Sequence, residues 1–195
     1  MITAALLAAG ETKRTGPLLK PLLPVNGKTV IETVIEKLKE SDVDRIVVVL
    51  GYEAGKIEEA IKDEDIDVLI NKEYKKGMLS SVKHGIKSDL NSNFLICMVD
   101  QPLIDVKTIN TIINHYDSSR VVVPTYKGKR GHPILIPSSL IKELIFFEGK
   151  TLRDFVHGHE IKEVEIDDEG IIINLNTIED FKKYLGFNGI LWPYF

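Results

Sequence analysis

Two cations stand in the first loop of the chain, Arg14 and Lys20 in "AAGETKRTGPLLKPLLP" (8–24). Glycines at 10 and 16 leave the backbone bare, so its N–H groups can approach an anion closely. An arginine there can fork onto two phosphate oxygens, and a lysine adds a movable point charge. Together they suit a polyphosphate; the alternative is an ordinary strand-to-helix loop with two surface cations. The spacing from Gly10 to Gly16 does not make the glycine fingerprint of a dinucleotide fold.

Asp100 ends the apolar run "FLICMV" (94–99), where a carboxylate is costly to desolvate unless it meets a cation or hydrogen-bond donors. Magnesium is the natural partner, since it takes one or two carboxylates together with phosphates and waters; the other reading is a helix N-cap ahead of Pro102. In "KKGMLSSVKHG" (75–85) a glycine turn at Gly77 precedes Ser80 and Ser81, either of which can cap the helix expected there. Arg130 and His132 in "RGHP" read, on the residues alone, as a plain hairpin turn. His157 and His159 have no cysteine or third ligand nearby and read as a solvated turn, not a metal site.

These groups need a frame that brings them together. Residues 2–9, 45–51, 67–71, 94–100 and 120–124 are apolar, β-branched runs that predict buried strands. Val30, Ile31, Val34, Ile35 and Leu38 fall at helical spacing between Lys28 and Ser41, as do Ile57, Ala60 and Ile61, and Val106, Ile109, Ile112, Ile113 and Tyr116. Alternating strands and helices imply a largely parallel sheet covered on both faces. Ligands of such sheets sit outside the carboxyl ends of the strands, where Gly10–Lys20, Gly77–Ser81 and Asp100–Pro102 all fall. Later the pattern loosens: residues 125–133 form a loop or hairpin, "ILIP" a short strand, and "KEVEIDDEGIIINL" two strands around a turn at Glu169 and Gly170. A last helix runs from Thr177 to Leu185, with Asp180 three residues after its threonine. The tail "GFNGILWPYF" has no assigned role beyond packing or a subunit contact.

The 195 residues suit one generous domain, and 44% hydrophobic with 28% charged residues is an ordinary globular balance. A net charge of −4 leaves no basic footprint for nucleic acid, and no run is apolar enough to span a membrane. The single cysteine, Cys97, lies in a core strand, which excludes a disulfide framework and suits a reducing cytoplasm. No positive charge precedes "ITAALLAAG", so it reads as a first strand and not a secretion signal.

"LLAAGETKRTGPLLKPLLPVNGKTVIE" resembles the opening of the molybdenum-cofactor nucleotidyltransferases: leucine, two small residues and glycine, then an arginine, a glycine and a lysine before a leucine-rich turn. "GYEAGKI", "NKEYKKGMLSSVKHGI", "VDQPLI", "KRGHPILI" and "GKTLRDF" follow in the family's order, over nearly the whole chain. The two alanines before Gly10 resemble the cytidylyltransferase branch, where the guanylyltransferase branch has a glycine second. The interval from arginine to lysine is one residue longer than usual, Val99 replaces a glycine, and Asn174 and Asn176 stand where the family commonly places aspartates.

The resemblance implies an α/β, Rossmann-like three-layer nucleotidyltransferase fold with a mainly parallel mixed sheet. It would be a single domain, 1–124 binding nucleotide and 125–185 binding the acceptor and closing the site. It implies CMP transfer from CTP to molybdopterin cofactor with release of pyrophosphate, Mg2+ as cofactor, and a molybdenum hydroxylase of the xanthine dehydrogenase type as a further partner. Leu7, Ala8, Ala9, Gly10, Arg14, Lys20, Gly77, Ser80 and Ser81 would bind the nucleotide. Arg14, Lys20 and Asp100 would be catalytic, Asp100 with Asn174 or Asn176 would hold the metal, and Arg130 and His132 would meet the acceptor. Two alternatives stand beside it: a nucleotidyltransferase for a sugar phosphate or another phosphorylated alcohol, and a non-catalytic carrier of the cofactor.

Overall fold

The apolar run at the start of the chain becomes β1 (Ile2–Ala8), an interior strand of the sheet with a neighbour on each side. A computed structural model describes residues 1–11 and 18–185. After β1 come a 3-10 turn, Lys20–Leu22, and a small hairpin of β2 (Pro24–Val25) and β3 (Lys28–Thr29). Thr29 then starts α1 (Val30–Lys39) through a capping box: its hydroxyl accepts the Glu32 N–H, while the Glu32 carboxylate accepts the Thr29 N–H at 2.6 Å.

The alternation expected from the sequence continues with β4 (Arg45–Leu50), α2 (Ala54–Ala60), β5 (Asp67–Ile70), α3 (Met78–Ile86), β6 (Asn93–Met98), α4 (Val106–Asn114) and β7 (Val121–Tyr126). β8 (Lys129–Arg130) folds back on β7, and β9 (Ile134–Ile136), α5 (Ser138–Phe146), α6 (Leu152–His157), β10 (Ile161–Glu165) and α7 (Ile178–Leu185) complete the described elements. The sheet order is β10-β7-β9-β6-β1-β4-β5. β9 lies antiparallel between β6 and β7, whereas β6, β1, β4 and β5 pair in parallel, as do β7 and β10. The sheet is therefore mixed and mainly parallel.

Alternation along the central strand separates two cores. Ala4, Leu6 and Ala8 pack with the Ile31, Ile35, Ile109 and Ile112 side chains of α1 and α4. Ala5 and Leu7 pack on the other face with Leu79, Val82, Ile141 and Phe155 of α3, α5 and α6. Helices on both faces of one sheet give the three layers expected.

Beside the small β2–β3 hairpin, which the sequence reading did not include, two features depart from that reading. The stretch expected to form two strands around Glu169 and Gly170 makes one, β10, followed by the 3-10 helix Glu169–Ile172. Asp168 starts that turn by accepting the Gly170 N–H at 2.8 Å, which bends the chain off the sheet. The helix α5 was not expected, although Ile141 and Leu144 bury one of its faces.

Candidate active site

β1 and β6 run side by side and end together, Leu7 opposite Met98, and the Val99 N–H donates to the Leu7 carbonyl at 3.2 Å. Beyond this point the two chains part and leave a cleft of about 670 Å³ at the carboxyl ends of the strands. Leu7, Ala8, Ala9, Gly10, Glu11, Lys20 and Pro21 line one side, Tyr74, Lys75, Gly77, Met78 and Ser81 the other, and Met98, Val99 and Asp100 the floor. A Cβ at Gly10 would meet no atom of the described residues within 4 Å. Gly77 has φ +101°, a conformation that favours glycine, and it starts α3 without a side-chain cap.

On the floor three side chains meet. The Lys20 ammonium lies 3.3 Å from Asp100 Oδ2 and donates to Asn176 Oδ1 at 3.1 Å. The other carboxylate oxygen, Asp100 Oδ1, is buried and has no hydrogen-bond partner among the described residues. Such an orphaned acceptor is expensive to desolvate, and hard oxygens of a carboxylate and a carboxamide are the donor set that magnesium takes. The residues present therefore fit a divalent cation. Asn176 is fixed by its backbone: its N–H and that of Thr177 donate to Asp180 Oδ2 at 2.9 and 2.8 Å, which holds the Asp180 carboxyl below its usual range. Asn174 is exposed and outside the cluster; its carbonyl accepts the Asn176 amide at 3.5 Å.

The two serines of α3 separate. Ser81 lines the cleft, whereas Ser80 lines a different groove with Lys76, Lys83 and Lys87. Neither caps α3. Asn71 links them, its amide donating to Ser80 Oγ at 2.8 Å and Ser81 Oγ at 3.0 Å. Tyr74, Lys75 and Asn71 were not singled out from the sequence. The signal for Tyr74 was Gly51: a Cβ there would lie 2.7 Å from the Tyr74 Cβ and 2.8 Å from the Ala9 carbonyl, so a glycine lets the cleft wall close up.

Beside Met78, which lines both, a second pocket of about 180 Å³ is walled by Val123, Ile134, Leu152 and Val156, with Arg130, His132, Arg153 and His157 at its polar side. Arg130 is exposed and paired with Glu163 at 2.6 Å. Burial pushes the His132 imidazole below its ordinary value; Asp100 opposes that shift and Arg153 adds to it. His159 is stacked on Phe155 and contacts Glu143 at 3.1 Å, and no group of three or more metal-binding side chains occurs among the described residues. Arg14 and the apolar tail lie outside the described residues.

Residues 4–164 match the MobA-like NTP transferase domain. The chain belongs to that family. Its relatives include molybdenum cofactor cytidylyltransferase from Escherichia coli, 26% identical over 92% of this chain and 93% of that one. Nicotine blue oxidoreductase from Paenarthrobacter nicotinovorans is 30% identical over 71% of this chain and 72% of that one. Among solved structures, a nucleotidyl transferase from Methanothermobacter thermautotroptrophicus superimposes with a TM-score of 0.84 at 26% identity, covering 95% of this chain and 96% of that one. As a MobA-like NTP transferase, the chain is a nucleotidyltransferase with its cleft at the carboxyl ends of β1 and β6. The family match stops at residue 164, so Asn176 reaches the cleft from beyond it. No described helix is long and apolar enough to cross a membrane.

Proposed function

We propose that this nucleotidyltransferase moves CMP from CTP to the terminal phosphate of a molybdopterin-type acceptor. The acceptor oxygen forms the new bond to the α-phosphorus, the bond to the β-phosphate oxygen breaks, and pyrophosphate leaves. That acceptor oxygen is already ionised at neutral pH, so no general base is needed. Catalysis then consists of holding the reacting groups in line and meeting the charge that develops.

The observation that carries this reading is the Lys20–Asp100–Asn176 cluster at the floor of the cleft. Lys20 offsets charge on the α-phosphate, and Arg14 holds the β- and γ-phosphates. Asp100 and Asn176 would hold magnesium, which when bound neutralises phosphate oxygens and the leaving group. Leu7–Gly10, Gly77 and Ser81 border the nucleoside, and Ser80 supports Ser81 through Asn71. The second pocket, with Arg130 and His132, receives the acceptor, and residues 125–185 close that side. The similarity to a molybdenum cofactor cytidylyltransferase over nearly the full length favours this acceptor and this base. A molybdenum hydroxylase of the xanthine dehydrogenase type is the recipient implied for the product.

A nucleotidyltransferase acting on a sugar phosphate or another phosphorylated alcohol is the second reading, since the same cleft and phosphate chemistry serve either acceptor. One experiment separates them: each nucleoside triphosphate is incubated with magnesium and a panel of acceptors, pyrophosphate is measured, and products are identified by mass. A cytidylated molybdopterin is expected. Pyrophosphate with another acceptor would reassign the substrate, and its absence with every pair would overturn the reading.

A further inference from the structure

Asn176 reaches the cleft on a strap, residues 168–176, that leaves the sheet after β10 and crosses the Asp100-bearing loop. Four of its anchors land on that loop or on the start of α4. Asp168 Oδ2 accepts the Asp105 N–H at 3.0 Å and the Thr108 hydroxyl at 2.7 Å. A Cβ on Gly170 would lie 3.0 Å from both Ile104 N and Leu103 C, so the strap backbone presses against the loop there. The Ile171 carbonyl accepts the Gln101 side-chain amide at 3.1 Å and also the His132 N–H at 3.0 Å. The Leu175 N–H donates to the Asp100 carbonyl at 2.8 Å. The loop thus sets the place of Asn176 relative to Asp100.

Most of these anchors are backbone groups. Asp168 is the strap side chain among them, and it holds three donors at once, counting the Gly170 N–H on its other oxygen at 2.8 Å. Asp105 starts α4 without a side-chain cap, and its own N–H is held by the Asp168 carboxylate from the strap. We propose that Asp168 is a positioning residue for the Asp100–Asn176 pair: by clipping the strap to the loop before α4, it fixes the separation of the two oxygen ligands. This rests on the functional reading above. Outer residues that orient metal ligands matter nearly as much as the ligands themselves.

The test compares Asp168→Ala and Asp168→Asn, each in the natural chain and with Asn176→Ala. Hydrogen exchange reads the strap without any activity: in Asp168→Ala the Leu175 and His132 amides should exchange roughly tenfold faster or more, with the Leu6 amide of β1 unchanged. Pyrophosphate release from CTP should fall on the order of tenfold in turnover with little change in KM for CTP. Asp168→Asn, which keeps one acceptor oxygen, should recover part of both. If Asp168 acts through Asn176, its substitution should cost almost nothing further once Asn176 is alanine. Unchanged exchange at Leu175, or losses that multiply in the double variant, would overturn the proposal. A natural chain that releases no pyrophosphate would sink the functional reading instead, and the exchange measurement still decides whether Asp168 clips the strap.

Discussion

Lys20 and Asp100, 80 residues apart in sequence, meet at 3.3 Å with side chains only 18% and 16% exposed. Water screens such a pair less than a surface pair, so each group sets the other's environment. The ammonium neutralises a carboxylate whose second oxygen has no hydrogen-bond partner among the described residues, and it also reaches the Asn176 side-chain oxygen. One cation therefore holds two oxygens at the floor of the cleft, where the proposed reading puts a metal and a triphosphate.

Removing that cation should act twice. Lys20→Ala is expected to lower turnover by on the order of 3 kcal/mol, about a hundredfold, if the ammonium meets charge that grows in the transition state. It also leaves the Asp100 carboxylate without its counter-charge, which should lower the melting temperature in chelator and let added magnesium restore it. Asp100→Ala should abolish transfer and remove the magnesium response. Equal melting curves with and without magnesium in Lys20→Ala would argue against a metal at Asp100.

The two asparagines should behave differently. Asn176→Ala deletes an oxygen that faces Lys20, whereas Asn174→Ala deletes an exposed side chain and spares the carbonyl that meets Asn176. Turnover is expected to drop on the order of tenfold or more for Asn176→Ala and to stay within about twofold for Asn174→Ala. Steady-state pyrophosphate release against magnesium concentration checks this; equal effects would remove Asn176 from the metal site.

That choice between asparagines was not legible in the sequence. Apolar runs revealed the strands because β1, β4 and β6 are buried on both faces, and the period of Val30–Leu38 revealed α1 because one face packs on the sheet. "GIIINL" is just as apolar but makes no strand: Ile171 and Leu175 are buried by docking on the Asp100 loop, a long-range contact that periodicity does not encode. An alternation argument for Asn174 and Asn176 fails for that reason, since they sit on a strap. The loop glycine, lysine and aspartate were legible because residue type and strand-end position carried them. Ser80 and Ser81 look equivalent in sequence, and the register of α3 parts them.

His132 should make stability depend on pH. Burial holds its folded-state value below the ordinary histidine range, helped by Arg153 and opposed by Asp100. Above the unfolded value, about 6.5, both states are neutral and the group is silent. As the pH falls below it, the unfolded chain takes up a proton that the folded chain resists, so stability drops until the folded value is reached. Melting temperatures between pH 7 and 5 should therefore fall more steeply in the natural chain than in His132→Asn. Parallel curves would show that His132 titrates normally.

Base choice should respond to Ala9. This residue lines the cleft and is 4% exposed, wedged where Gly51 approaches: a Cβ at Gly51 would lie 2.9 Å from the Ala9 Cβ. With Gly51 pressed against it and the Tyr52 N–H bonded to its carbonyl at 3.2 Å, Ala9 has no room to retreat, and on the proposed reading its methyl would narrow the side of the cleft that takes the base. One methyl group in a pocket is worth only about 1–3 kcal/mol, so other wall residues such as Tyr74 must share the discrimination. The chain is expected to prefer CTP over GTP by at least roughly tenfold in kcat/KM, and Ala9→Gly to narrow that gap without reversing it. If the methyl only packs between β4 and α3, the substitution will lower the melting temperature and leave the ratio alone. Competition of CTP and GTP in one reaction, with the dinucleotide products resolved by mass, distinguishes the two; a mainly guanylated product from the natural chain would overturn the cytidylyltransferase reading altogether.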